Sequence, residues 1–186
     1  MRAPNWSNRV SDRLSVRRVR LTDAARVRGI RLEALDDPDA GIAFLETRAQ
    51  AEAHADPYWQ ERTATAALSG SAAQFIAEAG RDVVGTLTVL IREAGSSDYL
   101  GRPAIEGRAL VVAVYVRPSH RGRGTLEALL DAAVQWARDS GQSQLALDVH
   151  ETNARAQRAY ERLGFVRSGQ TSQSANGTEL EMVRVL

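Results

Sequence analysis

Residues 110–165 decide the fold of this chain, and they read LVVAVYVRPSHRGRGTLEALLDAAVQWARDSGQSQLALDVHETNARAQRAYERLGF. The apolar run at 110–116 predicts a strand, and a turn containing two glycines follows it. Apolar residues at helical spacing over 126–137 then predict a helix that ends at a glycine. A second apolar run at 145–149 and a second helical pattern over 153–163 complete the segment. This order of strand, helix, strand and helix predicts a parallel crossover.

The glycine turn lies at the carboxyl end of the first predicted strand, where ligands of α/β proteins bind. Gly122 and Gly124 can adopt backbone angles that other residues avoid, and they leave room for close approach of a ligand. The free N–H groups at the start of the next helix form a concave, partly positive surface. Arg121 and Arg123 add full positive charges. The turn therefore predicts an anion-binding site.

Two motifs in this stretch resemble one known family. The segment 121–124, Arg-Gly-Arg-Gly, stands between a strand ending in Val-Arg-Pro and an amphipathic helix, and it resembles the acetyl-CoA pyrophosphate loop of the GNAT superfamily of N-acetyltransferases. Asn153, Tyr160 and the Gly-Phe pair at 164–165 match the family's second pattern of an asparagine, a helical tyrosine and then Gly-Phe. Two motifs at this separation are more specific than either alone. Leu126 departs from the family, which usually has Gly or Ala there.

The resemblance implies an α/β fold with a mixed, mostly antiparallel sheet of six to seven strands. Helices cover both faces, and the central parallel pair is splayed into a V-shaped slot. Residues 1–13 are polar and aperiodic, which predicts a flexible N-terminal tail, and residues 14–186 are predicted to form one domain. The remaining predicted elements are a strand at 14–20, helices at 24–35, 42–53 and 58–68, a hairpin at 74–91, a polar loop at 93–107, and final strands at 166–168 and 179–186 joined by a polar segment at 169–178.

The resemblance also implies the reaction, which is transfer of an acetyl group from acetyl-CoA to a primary amine. Acyl transfer needs a positioned thioester, a deprotonated amine, a polarised carbonyl oxygen and a protonated leaving thiolate. Tyr160 is implied as the residue that protonates the thiolate, although Tyr160 also shares a helix face with Leu163, which is typical of a core tyrosine. The implied cofactor-binding residues are Tyr115, Val116, Arg121, Gly122, Arg123, Gly124, Thr125, Leu126, Asn153 and Ala156.

The general base is left open by the sequence. The candidates are Glu33, Tyr115, Asp148, His150 and Glu151, and Glu33 is named as the catalytic base among them. The acceptor is expected to lie against the helices at 24–68 and the loop at 93–107. These two segments carry carboxylates that suit a cationic amine, namely Glu33, Glu46, Asp56, Glu93 and Asp98.

The composition of the 186 residues limits the other classes of function. The 24 basic residues, all of them arginine, nearly balance 23 acidic ones, so nucleic-acid and membrane partners are unsupported, and a homodimer is left open. The chain has no cysteine, which excludes disulfides and cysteine-based metal sites, and no metal is predicted. No apolar run approaches the ~18 residues of a membrane span and the N-terminus lacks the apolar core of a signal peptide, so the expected compartment is the cytoplasm.

Two other functions compete with acetyl transfer. The first is a catalytically degenerate acyl-CoA-binding or regulatory module, which would keep the cofactor slot without turnover. The second is a nucleotide-phosphate binder that uses the same glycine turn, and the absence of the lysine that P-loops place on phosphate weighs against it.

Overall fold

The computed structural model describes residues 14–93 and 95–186. The predicted tail at 1–13 lies outside the described residues. The strands are β1 (Leu14–Arg18), β2 (Ala72–Ala79), β3 (Asp82–Ile91), β4 (Arg108–Val116), β5 (Gln144–His150), β6 (Val166–Ser174) and β7 (Gly177–Val185). The α-helices are α1 (Ala24–Leu35), α2 (Ala40–Ala43), α3 (Arg48–Ala53), α4 (Asp56–Leu68), α5 (Thr125–Asp139) and α6 (Ala154–Arg162).

All of these strands belong to one seven-stranded sheet in the order β1-β2-β3-β4-β5-β7-β6. Each neighbouring pair is antiparallel except β4 and β5, which are parallel and adjoin at the centre. The parallel pair is linked through α5, as the predicted crossover requires. The predicted fold class is confirmed.

Helices cover both faces of this sheet because successive side chains of its strands point to opposite faces, and both faces carry apolar side chains. On β2, Phe75 faces the core that α5 covers, and Ile76 faces the core that α1, α3 and α4 cover. Leu129 and Leu130 of α5 are fully buried. Burial of each such side chain contributes roughly 1.5–3 kcal/mol, so α5 is firmly held and its N-terminus has a fixed place beside the end of β4.

The prediction of one continuous helix at 42–53 is wrong, because the structure breaks it between α2 and α3. The chain leaves the helical conformation at Phe44 (φ −139°, ψ 138°), and α3 starts afresh after Thr47. Thr47 and Gln50 form a capping box, in which each side chain bonds the other's backbone. Phe44 is buried, and its burial in the core under α1 and α3 accounts for the break.

The predicted polar connection at 169–178 is also wrong, because most of it forms the hairpin of β6 and β7. The pairing runs from Val166 with Val183 to Ser174 with Gly177, and it contains one register shift. β6 is an edge strand with mostly exposed residues. Such a strand does not need alternating apolar side chains, so the pattern search found only its first residues.

Candidate active site

The centre of the site is a slot between β4 and β5. These strands pair only at Arg108 with Gln144, Ala109 with Leu145, and Leu110 with Ala146. Beyond these pairs no ladder joins the rest of β4 to the rest of β5. The facing backbone groups of the two strand ends are therefore free to bond an extended ligand that carries amides of its own.

A bulge in β4 lies beside this slot. The register with β3 shifts between the pair of Thr86 with Tyr115 and the pair of Thr88 with Val112. Ala113 falls within the shift and has a φ of 53°, which is rare for a residue with a side chain and costs about 1–2 kcal/mol. The bulge turns the local backbone out of the regular ladder at the point where the slot opens.

The glycine turn joins the end of β4 to α5 at the mouth of the slot. Gly122 and Gly124 have φ values of 68° and 80°, and Gly124 is the N-cap of α5. No side chain caps this helix end, so the N–H groups of its first turn lack a side-chain acceptor. Arg123 is exposed, and Thr125 is buried. Leu126 packs against the core under α5.

Arg121 is engaged elsewhere than the sequence suggested. Its Nε donates to the carbonyl oxygen of Val116 at 2.8 Å, and its Nη2 pairs with the carboxylate of Asp37. The guanidinium also lies 5.9 Å from the centre of the Tyr115 ring. Arg121 thus ties the turn to the connection after α1, so Arg123 is the arginine of the turn that is left facing solvent.

Helix α6 brings the second motif to the same end of the sheet. Asn153 is the N-cap of α6, and its Oδ1 accepts a hydrogen bond from the N–H of Ala156 at 3.1 Å. Tyr160 is 8% exposed and its ring lies edge-on to Phe165 with centroids 5.9 Å apart. Burial raises the pKa of Tyr160 to about 12, so its hydroxyl keeps its proton at neutral pH.

Glu33 of α1 lies beside the end of β4, where Arg117 holds its carboxylate. The guanidinium donates from Nε to Oε1 at 2.7 Å and from Nη2 to Oε2 at 2.8 Å, and the Tyr115 hydroxyl donates to Oε1 at 3.2 Å. The hydrogen bond from Arg117 lowers the pKa of Glu33, although burial partly opposes this effect. Burial, with the nearby Glu33, raises the pKa of Tyr115 to about 12. These contacts weigh against the prediction of Glu33 as a base, because a lowered pKa makes a carboxylate a weaker proton acceptor.

Asp148 and His150 share the face of β5 that points away from α5, and both side chains are engaged. Asp148 accepts from both terminal nitrogens of Arg102 at 2.8 and 2.7 Å and from the Tyr99 hydroxyl at 2.6 Å. The Nδ1 of His150 accepts from the backbone N–H of Thr152 at 3.2 Å. Its Nε2 therefore carries the proton and donates to the carbonyl oxygen of Asn176 at 3.0 Å. Glu151, the remaining candidate base, is exposed.

A small cavity of about 60 Å³ lies against β5 at Asp148 and against β7 at Glu179. Three elements that are far apart in sequence close it: the end of α2, the loop before β4, and the turn between β6 and β7. Its lining residues are Ala43, Phe44, Leu45, Tyr99, Leu100, Asp148, Asn176 and Glu179. Both segments expected to line the acceptor thus border one cavity.

The carboxylates expected at the acceptor site are mostly neutralised by arginines. Glu46 pairs with Arg31 at 2.9 Å, and Asp98 pairs with Arg102 at 2.7 Å. Glu33 is held by Arg117, as described above. None of the five carboxylates that the sequence singled out lines the cavity, whose acidic residues are Asp148 and Glu179.

Comparison with known proteins decides the family. The family model described as "Acetyltransferase (GNAT) family" matches residues 34–165. This chain belongs to the GNAT acetyltransferase family. Streptothricin acetyltransferase of Streptomyces lavendulae is 38% identical to it over 74 residues, which are 40% of this chain and 39% of that protein. The chain thus aligns with only about two fifths of the length of the curated relatives it matches first.

Solved GNAT structures share the fold over nearly the whole chain. The GNAT acetyltransferase of Streptococcus pneumoniae has a TM-score of 0.74 and 18% identity, covering 94% of this chain and 99% of that one. The PaiA N-acetyltransferase of Thermoplasma acidophilum, solved with coenzyme A, has a TM-score of 0.71 and 16% identity, with coverage of 94% and 99%. At these identities the likeness is one of fold.

Several residues of this candidate site carried no local signal in the sequence. Asp37 meets Arg121 across 84 positions of the chain, and the unusual φ of Ala113 belongs to a residue type that gives no warning of it. One available signal was overlooked: Asn176-Gly177, a pair typical of tight hairpin turns, indicates the β6–β7 hairpin that carries Glu179. In residues 14–93 and 95–186, no helix is both long and apolar enough to cross a membrane. The same ranges contain no group of three or more acidic or histidine side chains that could hold a metal ion.

Proposed function

We propose that this chain transfers the acetyl group of acetyl-CoA to a primary amine, with the cofactor in the slot between β4 and β5. The observation that carries the proposal is the splay itself, since a slot with unpaired backbone edges opens beside an uncapped helix N-terminus. The edges suit the amides of the pantetheine arm, and the helix end suits the pyrophosphate. Neither feature alone would distinguish acetyl-CoA from other ligands.

In this proposal the pyrophosphate lies on the backbone N–H groups of 122–126, and exposed Arg123 adds a charge. Arg121 holds the turn in shape through Val116 and Asp37, so it contributes to binding by positioning. The backbone of Tyr115 and Val116 bonds the pantetheine amides. Asn153, Thr125, Leu126 and Ala156 complete the cofactor-binding set as the residues that shape the starts of α5 and α6.

The chemical step uses the bulge and the buried tyrosine. A backbone N–H near Ala113 polarises the thioester carbonyl, and the amine nitrogen attacks the carbonyl carbon. As the carbon–sulfur bond breaks, the hydroxyl of Tyr160 donates a hydrogen bond to the departing thiolate, which then takes a proton from water. A pKa of about 12 suits this role, since the hydroxyl is fully protonated at neutral pH.

The proton of the amine leaves to water in this scheme. Glu33 is the carboxylate that the sequence pointed to, but it is held as an anion by two hydrogen bonds from Arg117. Its contacts with the end of β4 suit a structural role, in which the carboxylate fixes Arg117 and Tyr115 beside the slot. A Glu33→Gln variant that kept wild-type turnover at pH 7 would support this assignment.

Release of free CoA in the presence of a panel of primary amines tests the proposal. The expected result is thiol release that requires both acetyl-CoA and an amine, together with calorimetric binding of acetyl-CoA and no comparable binding of ATP. Binding of acetyl-CoA without turnover on any amine would favour the alternative, a catalytically degenerate acyl-CoA-binding module. Binding of ATP in preference to acetyl-CoA would overturn both.

A further inference from the structure

The carboxylate of Glu179 is unlike the other buried or half-buried acidic groups near the slot. Glu179 lies on β7 and is 8% exposed. Its Oε1 accepts a hydrogen bond from the Ser174 hydroxyl at 2.9 Å. Within the part of the chain that the structure describes, no arginine lies within 4.0 Å of this carboxylate, whereas Glu33, Asp98 and Asp148 each have one. A buried carboxylate with no cation beside it costs free energy that a bound cation would recover.

This carboxylate borders the cavity of about 60 Å³ against β5. Phe44 and Leu45 wall it on one side, and Tyr99 and Leu100 wall it on another. Since a water molecule occupies about 30 Å³ in the liquid, the cavity has room for an ammonium group with one or two methylene groups. Asp148 also borders the cavity, but its two oxygens are taken by Arg102 and Tyr99. Glu179 is thus the acidic residue of this lining that has an oxygen available.

The cavity walls are fixed to the sheet by a chain of hydrogen bonds. Nε2 of His150 donates to the carbonyl oxygen of Asn176 at 3.0 Å, and Nδ2 of Asn176 donates to the carbonyl oxygen of Phe44 at 2.8 Å. The end of α2 is therefore held over β5 and β7. Pre-organised walls of this kind lower the entropy lost when a ligand binds.

The position of Glu179 relative to the slot determines which kind of acceptor could reach both places. The slot lies between β4 and β5, and Glu179 lies on β7, which is the next strand beyond β5. Neighbouring strands are about 4.8 Å apart, and an ammonium–carboxylate contact adds about 3 Å. The middle of the slot lies about one and a half strand spacings, roughly 7 Å, from β7, so a cation bound by Glu179 would stand roughly that far from a nitrogen that attacks within the slot. One molecule that places amino groups at both points needs two amines joined by a short alkyl chain.

We propose that this cavity binds the second, protonated amino group of a diamine acceptor, with Glu179 as the residue that recognises it. The inference rests on the proposed acetyl transfer, which supplies the reaction at the other amine. The reacting nitrogen must be neutral to attack, whereas the bound nitrogen is held because it is charged. Glu179 therefore selects between acceptors of equal reactivity by the charge at their far end.

Two acceptors of equal length test the idea without any variant. 1,4-Diaminobutane carries the second ammonium group, and 1-aminobutane lacks it. With wild-type protein we expect kcat/KM for the diamine to exceed that for the monoamine by about 10–100-fold, in line with a hydrogen-bonded contact to a buried charge. Equal values for the two amines would overturn the inference and leave the proposed function standing.

Glu179→Gln identifies the residue responsible. The amide still accepts from Ser174 but has lost the charge, so the advantage of the diamine should disappear while turnover of 1-aminobutane stays unchanged. Glu161→Gln, on the exposed side of α6, is the matched control and should keep the advantage. A variant that still preferred the diamine would contradict the assignment of Glu179.

Calorimetric titration with 1,4-diaminobutane in the absence of acetyl-CoA separates this inference from the proposed function. Binding to wild-type protein that weakens about 10-fold or more in Glu179→Gln would support the cation site even if no amine were acetylated. If the chain acetylated amines but the affinity for the diamine were the same in both proteins, the cation site would be refuted and acetyl transfer would stand.

Discussion

Replacing Tyr160 by phenylalanine removes one oxygen from the site and leaves the ring in place. The ring packs edge-on against Phe165, with centroids 5.9 Å apart, and the residue is 8% exposed. Within residues 14–93 and 95–186 the hydroxyl makes no hydrogen bond to a side chain or backbone group, so its loss leaves no buried polar partner unpaired. We therefore expect the free energy of unfolding to change by less than about 1 kcal/mol.

The effect on turnover follows from the pKa of the hydroxyl. Burial raises the pKa of Tyr160 to about 12, and a thiol has a pKa of about 8.5, so complete proton transfer to the thiolate is uphill by about 5 kcal/mol. The hydroxyl is thus best suited to donate a hydrogen bond to the sulfur as charge develops there. A hydrogen bond to a charged group is worth about 1.5–3 kcal/mol, which corresponds to a fall in kcat of roughly 10–150-fold in Tyr160→Phe.

Steady-state release of free CoA on an amine that the wild-type protein accepts is the measurement. KM for acetyl-CoA should change little, because the interaction forms mainly in the transition state. Tyr58→Phe is the matched control, since the Tyr58 hydroxyl is exposed on α4 and accepts from Arg62 at 3.3 Å. Wild-type kcat in Tyr160→Phe would refute a catalytic role for the hydroxyl and indicate that Tyr160 only packs in the core. A large rise in KM for acetyl-CoA would make it a cofactor contact instead.

Gly124→Val should weaken acetyl-CoA binding at least about 10-fold by calorimetry, since a branched side chain would stand at the phosphate site and the φ of 80° costs about 1–2 kcal/mol for a residue with a side chain. Arg102→Ala should lower the free energy of unfolding by about 3–5 kcal/mol in urea titration, because it leaves the Asp148 side chain, 3% exposed, without its cation. The hydrogen bond from Arg17 lowers the pKa of Asp23 to about 2, below its value of about 3.9 in the unfolded chain. This pair therefore stabilises the fold above about pH 4, and we expect about 2 kcal/mol to be lost as the pH falls to about 2, a loss that Asp23→Asn should abolish in acid titrations.

The sequence predicted what local patterns encode. The strand before the glycine turn, α5, β5 and α6 were predicted because their apolar spacing and terminal glycines are local signals, and the family motifs placed them in one crossover. Edge strand β6 was mostly missed because its residues are largely exposed and polar. The break at Phe44 was missed because an alanine-rich segment favours helix throughout, and only burial of the ring shows why the chain leaves that conformation.

The sequence did not predict which side chains the candidate site residues contact, and the reason is a different one. The pair of Glu33 with Arg117 and the pair of Arg121 with Asp37 each join residues 84 positions apart. Periodicity describes which face a residue occupies, but it does not give the register between elements that are distant in the chain. The sequence therefore predicted free carboxylates near the acceptor, whereas in the fold most of them pair with arginines. Glu179 was not among the predicted carboxylates.

The short ladder between β4 and β5 also bears on how the sheet comes apart. Within the sheet, three residue pairs join the four-stranded block of β1 to β4 to the three-stranded block of β5 to β7, and beside them the N–H groups of Ser143 and Gln144 donate to the carbonyl oxygen of Gly107. Amides of 111–116 and 147–150 that face the gap lie in the middle of the sheet, yet they lack a strand partner on that side. Hydrogen exchange should therefore find fast-exchanging amides at the centre of this sheet, where most proteins show their slowest. Opening along this line would separate two blocks that each keep their own hairpins, so the central seam, more than either edge, is where we expect unfolding to begin.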